Sequence, residues 1–288
     1  LLDIEMGDQP GTSGGHKWAH HKVLMASCSG LSAVGRHLYE DLSKLFPHCK
    51  KEKKLRVRDV FDIEGSHSSA LIASLCELKH CDLVLLMESR NQGHSTYMTV
   101  GNAAATVRFQ VHNVQTVTQL SLHGNHRLGT RPVLSFDKSF VEGPEPLRVM
   151  RELLRKVFST PHRHAKTLAV VDHIMQFTQH DGFIVFRNYG AEQTREGKTG
   201  TGIELTESGP RFILQPVAIQ EGLFGAKTLW RNANYINPSE ATAIRREEKA
   251  AHFQKRIDNA IKQTKRDTVP PANDLDDVLT AYYTGQDQ

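Results

Sequence analysis

The chain has 288 residues, 39% hydrophobic and 24% charged, with a mean hydropathy of −0.43. That is enough for one large domain or two modest ones with a real core, and the longest apolar run, residues 83–87, is far too short to span a bilayer. The formal charge of +4 is small but unevenly placed. Residues 50–58 carry six Lys or Arg against one Glu, residues 245–266 carry eight against three acids, and residues 267–288 hold five Asp and no base. Two basic blocks point to a polyanionic partner for the body, and the acidic tail to a different partner or none.

Four cysteines (Cys28, Cys49, Cys76, Cys81) form no Cys-x-x-Cys pair and no disulfide framework, which fits a reduced compartment, cytosol or nucleus. The first residues, LLDIEMGD, are acidic and lack a basic segment followed by an apolar stretch, so no secretory signal is expected. The absent initiator Met leaves the true start open.

Residues 1–16 are polar with a GTSGG cluster, and 1–21 are read as a disordered segment. Residues 22–27, KVLMAS, read as a short buried strand. Val34, Leu38, Leu42 and Leu45 recur at helical spacing and predict a helix over 32–46, ended by Pro47. A second helix is predicted over 66–79, with Ala70, Leu71, Leu75 and Leu78 on one face. Strands follow at 83–88 and 96–100, and then at 106–111, where Val107, Phe109 and Val111 point inward and Arg108 out.

The stretch GNHRLGTRPVLSFD, 124–137, places Arg127 and Arg131 on a loop with Gly124 and Gly129, ahead of a strand at 133–136. Arginines held there suit planar, bidentate phosphate contacts, although the same pattern fits a tight loop whose arginines are merely solvated. Residues 146–158 read as a helix with Leu147, Met150, Leu153, Leu154 and Val157 at core spacing. Strands are predicted at 170–177, 183–187, 202–206 and 211–219, with 190–202 a polar Gly/Thr loop read as a hairpin excursion. The pattern is mixed α/β throughout.

After Pro238 the character changes. Ser239 is placed as the cap of a basic amphipathic helix over 238–266, about 40 Å long. Ala250, Phe253, Ile257, Ala260 and Ile261 give one apolar stripe, while Arg245, Arg246, Lys249, Arg256 and Lys262 occupy much of the rest. Beyond Pro270-Pro271, Leu275, Val278, Leu279 and Tyr282 share one face of an acidic segment, readable as a docking helix or as a plain tail. Phe253, Ile257, Ile261, Leu275, Leu279 and Tyr282 are the candidate partner-binding residues.

Gly197-Lys198-Thr199 is not a phosphate loop: Glu192 stands where the first glycine belongs, and no helix pattern follows. Among the 16 histidines, His80 clusters with Cys76 and Cys81, but on a helix followed by a strand and with no second pair at zinc spacing. Asp172-His173 has no nucleophile in an elbow context and reads as structural. No catalytic residue, cofactor or metal is therefore expected. The candidate RNA-binding residues are Lys50, Lys51, Lys53, Lys54, Arg56 and Arg58 in one dense run; Arg127, Arg131, Arg187 with Tyr189, and Arg211 at loop–strand junctions; and Arg245, Arg246 and Lys249 on the helix. Each arginine taken singly also fits an ordinary surface ion pair.

Several segments lie in one order: DLSKLFPHCKKEKK (41–54), the 124–137 stretch, Asp172-His173, FRNYGA (186–191) and ESGPRFILQPVAIQEGLFGAKTLWRN (207–232). Together, over about residues 22–238, they resemble the Brix-domain ribosome-assembly proteins, and most of all their large-subunit members. The resemblance implies a domain of two similar α/β halves, about 22–142 and 143–237, each similar to the anticodon-binding domain of some aminoacyl-tRNA synthetases. It also implies a non-enzymatic, nucleolar assembly factor of the large (60S) subunit that grips pre-rRNA. The implied partners are a helical assembly factor related to the EBNA-binding proteins, other pre-60S factors and ribosomal proteins, with no membrane. The alternatives are a small-subunit member of the same superfamily, or a tRNA-binding enzyme appendage. One departure is SRNQGH after Glu88, where the family often has an Arg-rich run and only Arg90 remains.

Overall fold

The computed structural model describes residues 3–5, 21–56, 69–120, 127–161, 164, 166–168, 170–196, 200–225 and 227–268. Among these the chain runs β1 (Asp3–Glu5), β2 (Val23–Cys28), α1 (Ala33–Leu45), β3 (Cys49–Leu55), α2 (Ser69–Lys79), β4 (Leu83–Arg90), β5 (Ser95–Asn102) and β6 (Ala105–Gln115). It continues through α3 (Val117–Leu120), β7 (Pro132–Phe136), α4 (Ser139–Glu142), α5 (Glu145–Phe158), β8 (His173–His180), β9 (Phe183–Glu196), β10 (Gly200–Glu207), β11 (Arg211–Glu221), β12 (Thr228–Arg231) and α6 (Pro238–Thr268).

All the strands join one mixed sheet in the order β1-β7-β8-β9-β11-β6-β5-β4-β2-β3, with β10 on β9 and β12 on β11. The pairing reads the same from either side of the central β11–β6 ladder. Moving outward there are two antiparallel pairs and then a parallel one: β6-β5-β4-β2 on one side and β11-β9-β8-β7 on the other. Each parallel pair is bridged by a crossover containing a helix, as parallel neighbours require. This arrangement is the mixed α/β architecture expected from the sequence pattern, and it sets two similar strand groups edge to edge.

The helices α1 and α5 lie on one face of the sheet. Their apolar stripes, Leu38, Leu42 and Leu45 on α1 and Met150, Leu154 and Val157 on α5, close over the inward side chains of both strand groups in one core. Phe158 sits at its centre, with ring centroids 4.9 Å from Phe46, 5.0 Å from Phe177 and 5.4 Å from Phe186. The opposite face is covered only on the first group, where α2 brings Ile72 and Cys76 onto Leu24, Ala26, Val84 and Leu86. Among the described residues of the Leu1–Tyr235 unit, no helix covers the second group on that side.

Several elements depart from expectation, each for a tertiary reason. Asp3–Glu5 lies in the segment read as disordered, yet it pairs with the outer edge of β7; one isoleucine between acids gives no periodicity to detect. The basic run 49–55 is a strand, β3, because the free edge of β2 accepts it, and lysines are common on such edges. Residues 170–172 are loop rather than strand, and β8 begins at His173. The polar stretch 190–202 is a hairpin excursion as expected, but paired rather than loop: the antiparallel β9–β10 ladder runs through it from Tyr189↔Glu207 to Glu196↔Gly200. Gly101 is required where it stands: a Cβ there would lie 2.5 Å from the Thr106 hydroxyl oxygen, which also accepts the Phe224 amide.

Arg108 does not point to solvent. Its guanidinium pairs with the fully buried carboxylate of Glu88 and lies 4.5 Å from the Tyr97 ring centroid. The Tyr97 hydroxyl in turn meets that of Tyr235 at 3.0 Å. Burial pushes the Glu88 carboxyl above its usual range, opposed by Arg108 and Arg90.

His48 is buried between Phe46 and His164, at ring centroid distances of 6.0 and 6.4 Å. Burial, and then the neighbouring His164, lower its pKa from 6.5 to about 4, a backbone hydrogen bond at Val157 opposing and His21 adding slightly. The unfolded chain therefore takes up a proton in this window that the folded chain refuses. Stability is expected to fall on acidification from pH 6.5 to about 4, by roughly 3 kcal/mol at most. Urea midpoints measured across that range should decline less for His48→Gln than for the parent; parallel declines would assign the effect to other groups.

The segment from Ile236 onward forms a second compact unit. Its helix, α6, starts at Pro238, and the Asn237 side chain accepts the Ser239 amide at 3.3 Å, so Asn237 rather than Ser239 makes the cap contact.

Candidate nucleic-acid interface

The basic edge strand β3 presents Lys50, Lys51, Lys53 and Lys54 at the surface, and Arg56 is exposed just after it. A bulge opposite Ala26–Cys28 inserts one extra residue into the strand, and Lys54 takes φ +63° there, which turns successive lysines outward. Lys53 is engaged by Glu40 and lies 5.6 Å from the Tyr39 ring centroid, and Glu52 is paired with Lys79. Lys50, Lys51, Lys54 and Arg56 are left as an exposed cationic edge. Arg58 lies outside the described residues.

The loop ahead of β7 is pinned by Asp172. That carboxylate accepts the Arg127 amide at 2.8 Å and the Thr130 hydroxyl, and meets His173 Nδ1 at 2.9 Å. Partial burial works against the charge, but these hydrogen bonds outweigh it and hold the Asp172 carboxyl below its ordinary range. Gly129 has φ +81°, and a Cβ there would fall 2.9 Å from the Lys166 carbonyl; Leu168 donates its amide to the Gly129 carbonyl at 2.8 Å. The Asp172-His173 pair thus shapes a loop. Arg127 is exposed on it, whereas Arg131 is half-buried and its guanidinium reaches the Thr160 carbonyl at 3.4 Å.

Arg187 and Tyr189 are in the middle of β9, not at a junction as expected. Alternation splits the FRNY segment: Phe186 and Asn188 are buried on the helix side, Asn188 donating to the Ser208 hydroxyl and the Gly209 carbonyl at 3.0 Å each. Arg187 and Tyr189 take the other side, the one no described helix covers. Arg211 begins β11 nearby, held by Gln115 and by Glu207 at 3.6 Å. Arg187, Arg211, Val185, Ile213 and Gln115 line one depression on this face. Sequence reasoning missed Phe183, Val185 and Ile213; the period-two continuation back from Tyr189 was the available signal.

On α6 the side chains of Arg245, Arg246 and Lys249 are exposed, and so are Phe253, Ile257 and Ile261, at 62%, 37% and 48%. These three lie at four-residue spacing and form one stripe. Leu275, Leu279 and Tyr282 lie outside the described residues. The sequence-predicted residues are thus distributed over the β3 edge, the 127–131 loop, the open sheet face and α6. Among the described residues no group of three or more His, Cys, Asp or Glu is placed to hold a metal, and no helix is long and apolar enough to cross a membrane.

Comparison with known proteins adds the family. Residues 28–218 match the family model of the Brix domain. The chain belongs to the Brix-domain family. It is 31% identical to Ribosome biogenesis protein brx1 of Schizosaccharomyces pombe, covering 96% of this chain and 92% of that protein. It is 33% identical to Ribosome biogenesis protein BRX1 homolog of Drosophila melanogaster, over 85% of this chain and 65% of the relative. With the Homo sapiens protein of that name it shares 34% identity over 83% of this chain and 64% of the relative. The Brix chain therefore spans a little under two thirds of the length of these last two. A crystal structure of a probable ribosomal biogenesis protein from Aeropyrum pernix K1 is similar at a TM-score of 0.38 and 14% identity, over 68% of this chain and 96% of that one. The Brix match ends within β11, so the basic helix α6 lies beyond it.

Proposed function

We propose that this Brix-domain chain is a non-catalytic ribosome-biogenesis factor that binds pre-rRNA of the large subunit in the nucleolus. The observation that carries the reading is its match, over nearly its whole length, to a relative named as a ribosome biogenesis protein. The exposed cationic edge of β3 and the arginines of the open sheet face support an RNA partner, since phosphate neutralisation supplies most of the affinity in such complexes. The protein holds an RNA segment in place while a second, helical assembly factor docks, and the exposed stripe Phe253–Ile257–Ile261 suits that role. It acts by positioning rather than by chemistry.

Ultraviolet crosslinking of the tagged protein in cells, followed by sequencing of the attached RNA, tests this. Reads concentrated in the large-subunit precursor are expected, and depletion should lower large-subunit RNA. Reads in the small-subunit precursor would move the pathway, and enrichment of tRNA would replace the reading altogether. In vitro, the triple variant Lys50→Glu, Lys51→Glu, Lys54→Glu should bind rRNA fragments more weakly and flatten the slope of log affinity against log salt by about one for each phosphate no longer neutralised. An unchanged slope would remove the β3 edge from the interface.

A further inference from the structure

Along β9 the side chains on the open face alternate as Phe183, Val185, Arg187 and Tyr189. At one end Phe183 sits edge-on to His112 across the intervening strand, ring centroids 6.4 Å apart, and His112 is fixed by Gln215 at 3.0 Å. In the middle Val185 and Ile213 are direct cross-strand neighbours and give an apolar floor. Beside them Arg187 is exposed and has no side-chain partner among the described residues. Arg211 stands ordered at the rim, with its Glu207 neighbour already engaged. At the far end Tyr189 is half-buried against its cross-strand neighbour Ile174.

We propose that this open sheet face is a platform for an unpaired stretch of RNA. Bases lie on Phe183 and Tyr189 and over the apolar floor, and Arg187 takes the phosphates between them. The assignment rests on the RNA-binding reading above and narrows it to single strands. The reason is spacing. Alternate side chains on a strand stand about 7 Å apart, twice the ~3.4 Å separation of stacked bases along one strand of a duplex. Phe183 and Tyr189 stand three such steps apart on β9, about 20 Å, so they meet bases splayed out of a stack rather than stacked neighbours, and a paired A-form helix keeps its base faces hidden. The face is also charged in the right sense: among the described residues, of its two arginines only Arg211 has a carboxylate partner, so Arg187 leaves positive charge beside the aromatic rings. Base–aromatic stacking with an adjacent arginine is the usual composition of sequence-tolerant single-strand sites.

The test uses the full chain, a fluorescein-labelled oligouridylate and an RNA duplex of the same length, read by fluorescence anisotropy. The parent should prefer the single strand. The variants Tyr189→Ala and Phe183→Ala should each lose roughly tenfold or more on the oligouridylate with little change on the duplex. Tyr189→Phe, which keeps the ring, should retain binding and so separates stacking from any loss of fold. If parent and alanine variants bind both probes alike while the β3 charge-reversal variant loses both, RNA binding stands and the platform is wrong. If the parent binds neither probe, the platform and the RNA-binding reading fall together.

Discussion

Phe158→Ala is expected to destabilise the Leu1–Tyr235 unit by about 3–5 kcal/mol, a large share of the ~5–15 kcal/mol that holds a typical domain folded. The ring is fully buried and closes α5 onto Phe46, which follows α1, and onto Phe177 and Phe186 of the second strand group, so no flexible neighbour can fill the hole. Removing it costs the transfer energy of the ring together with the dispersion attraction that the cavity walls drew from it, and also the edge-to-face geometry with Phe46 and Phe177. Because Phe46 follows α1 and Phe177 lies on β8, the damage spreads to both groups. Urea denaturation checks this: the midpoint should drop while the slope stays constant. A cost below about 1 kcal/mol would mean that α5 shifts to close the gap and that the core is softer than its packing suggests.

The second large effect is expected at Glu88. Its carboxylate is fully buried and receives Arg108, with Arg90 Nε at 3.5 Å. Glu88→Ala leaves the mostly buried Arg108 guanidinium without its counter-charge, and breaking such a pair costs about 3–5 kcal/mol. Replacing both members by leucine should recover most of that loss, since an apolar pair of similar volume has no charge to desolvate. Thermal unfolding of the single and double variants distinguishes the cases. Equal destabilisation of both would show that shape, not charge compensation, is what Glu88 supplies. Glu88 lies on β4, four strands from Arg187 on β9 in the sheet order, so RNA affinity of folded Glu88→Ala should match the parent.

Both sites bear on function through rigidity. The open face of β8, β9 and β11 is useful as a platform only if its strands hold their register, and the Phe158 cluster lies directly beneath them on the other face. The β3 edge depends on β2, whose six residues are all buried. A basic strand with no apolar face of its own keeps its lysines in line because the β2 backbone holds it.

Local pattern alone settled the parts of this protein that bury their own signal. Leu38, Leu42 and Leu45 at helical spacing placed α1, and Ser32 accepts the Gly35 amide at 3.0 Å as its cap. Met150, Leu153, Leu154 and Val157 placed α5, and the ordered segments from 41 to 232 placed the chain among Brix-domain proteins. These features are local, because period and capping chemistry act within a few residues. Tertiary structure decided the rest. CKKEKKL has no apolar alternation and became a strand only because β2 offered a free edge. Arg108 looked like an outward residue in an alternating strand until Glu88, twenty positions earlier, was brought against it across β5. Arg187 and Tyr189 read as a junction motif, but the length of β9 placed them mid-strand, beside Arg211, on a face that no described helix of the Leu1–Tyr235 unit covers. Edge pairing, buried charge compensation and the composition of a sheet face all depend on residues far apart in sequence, and only the folded chain brings those residues together.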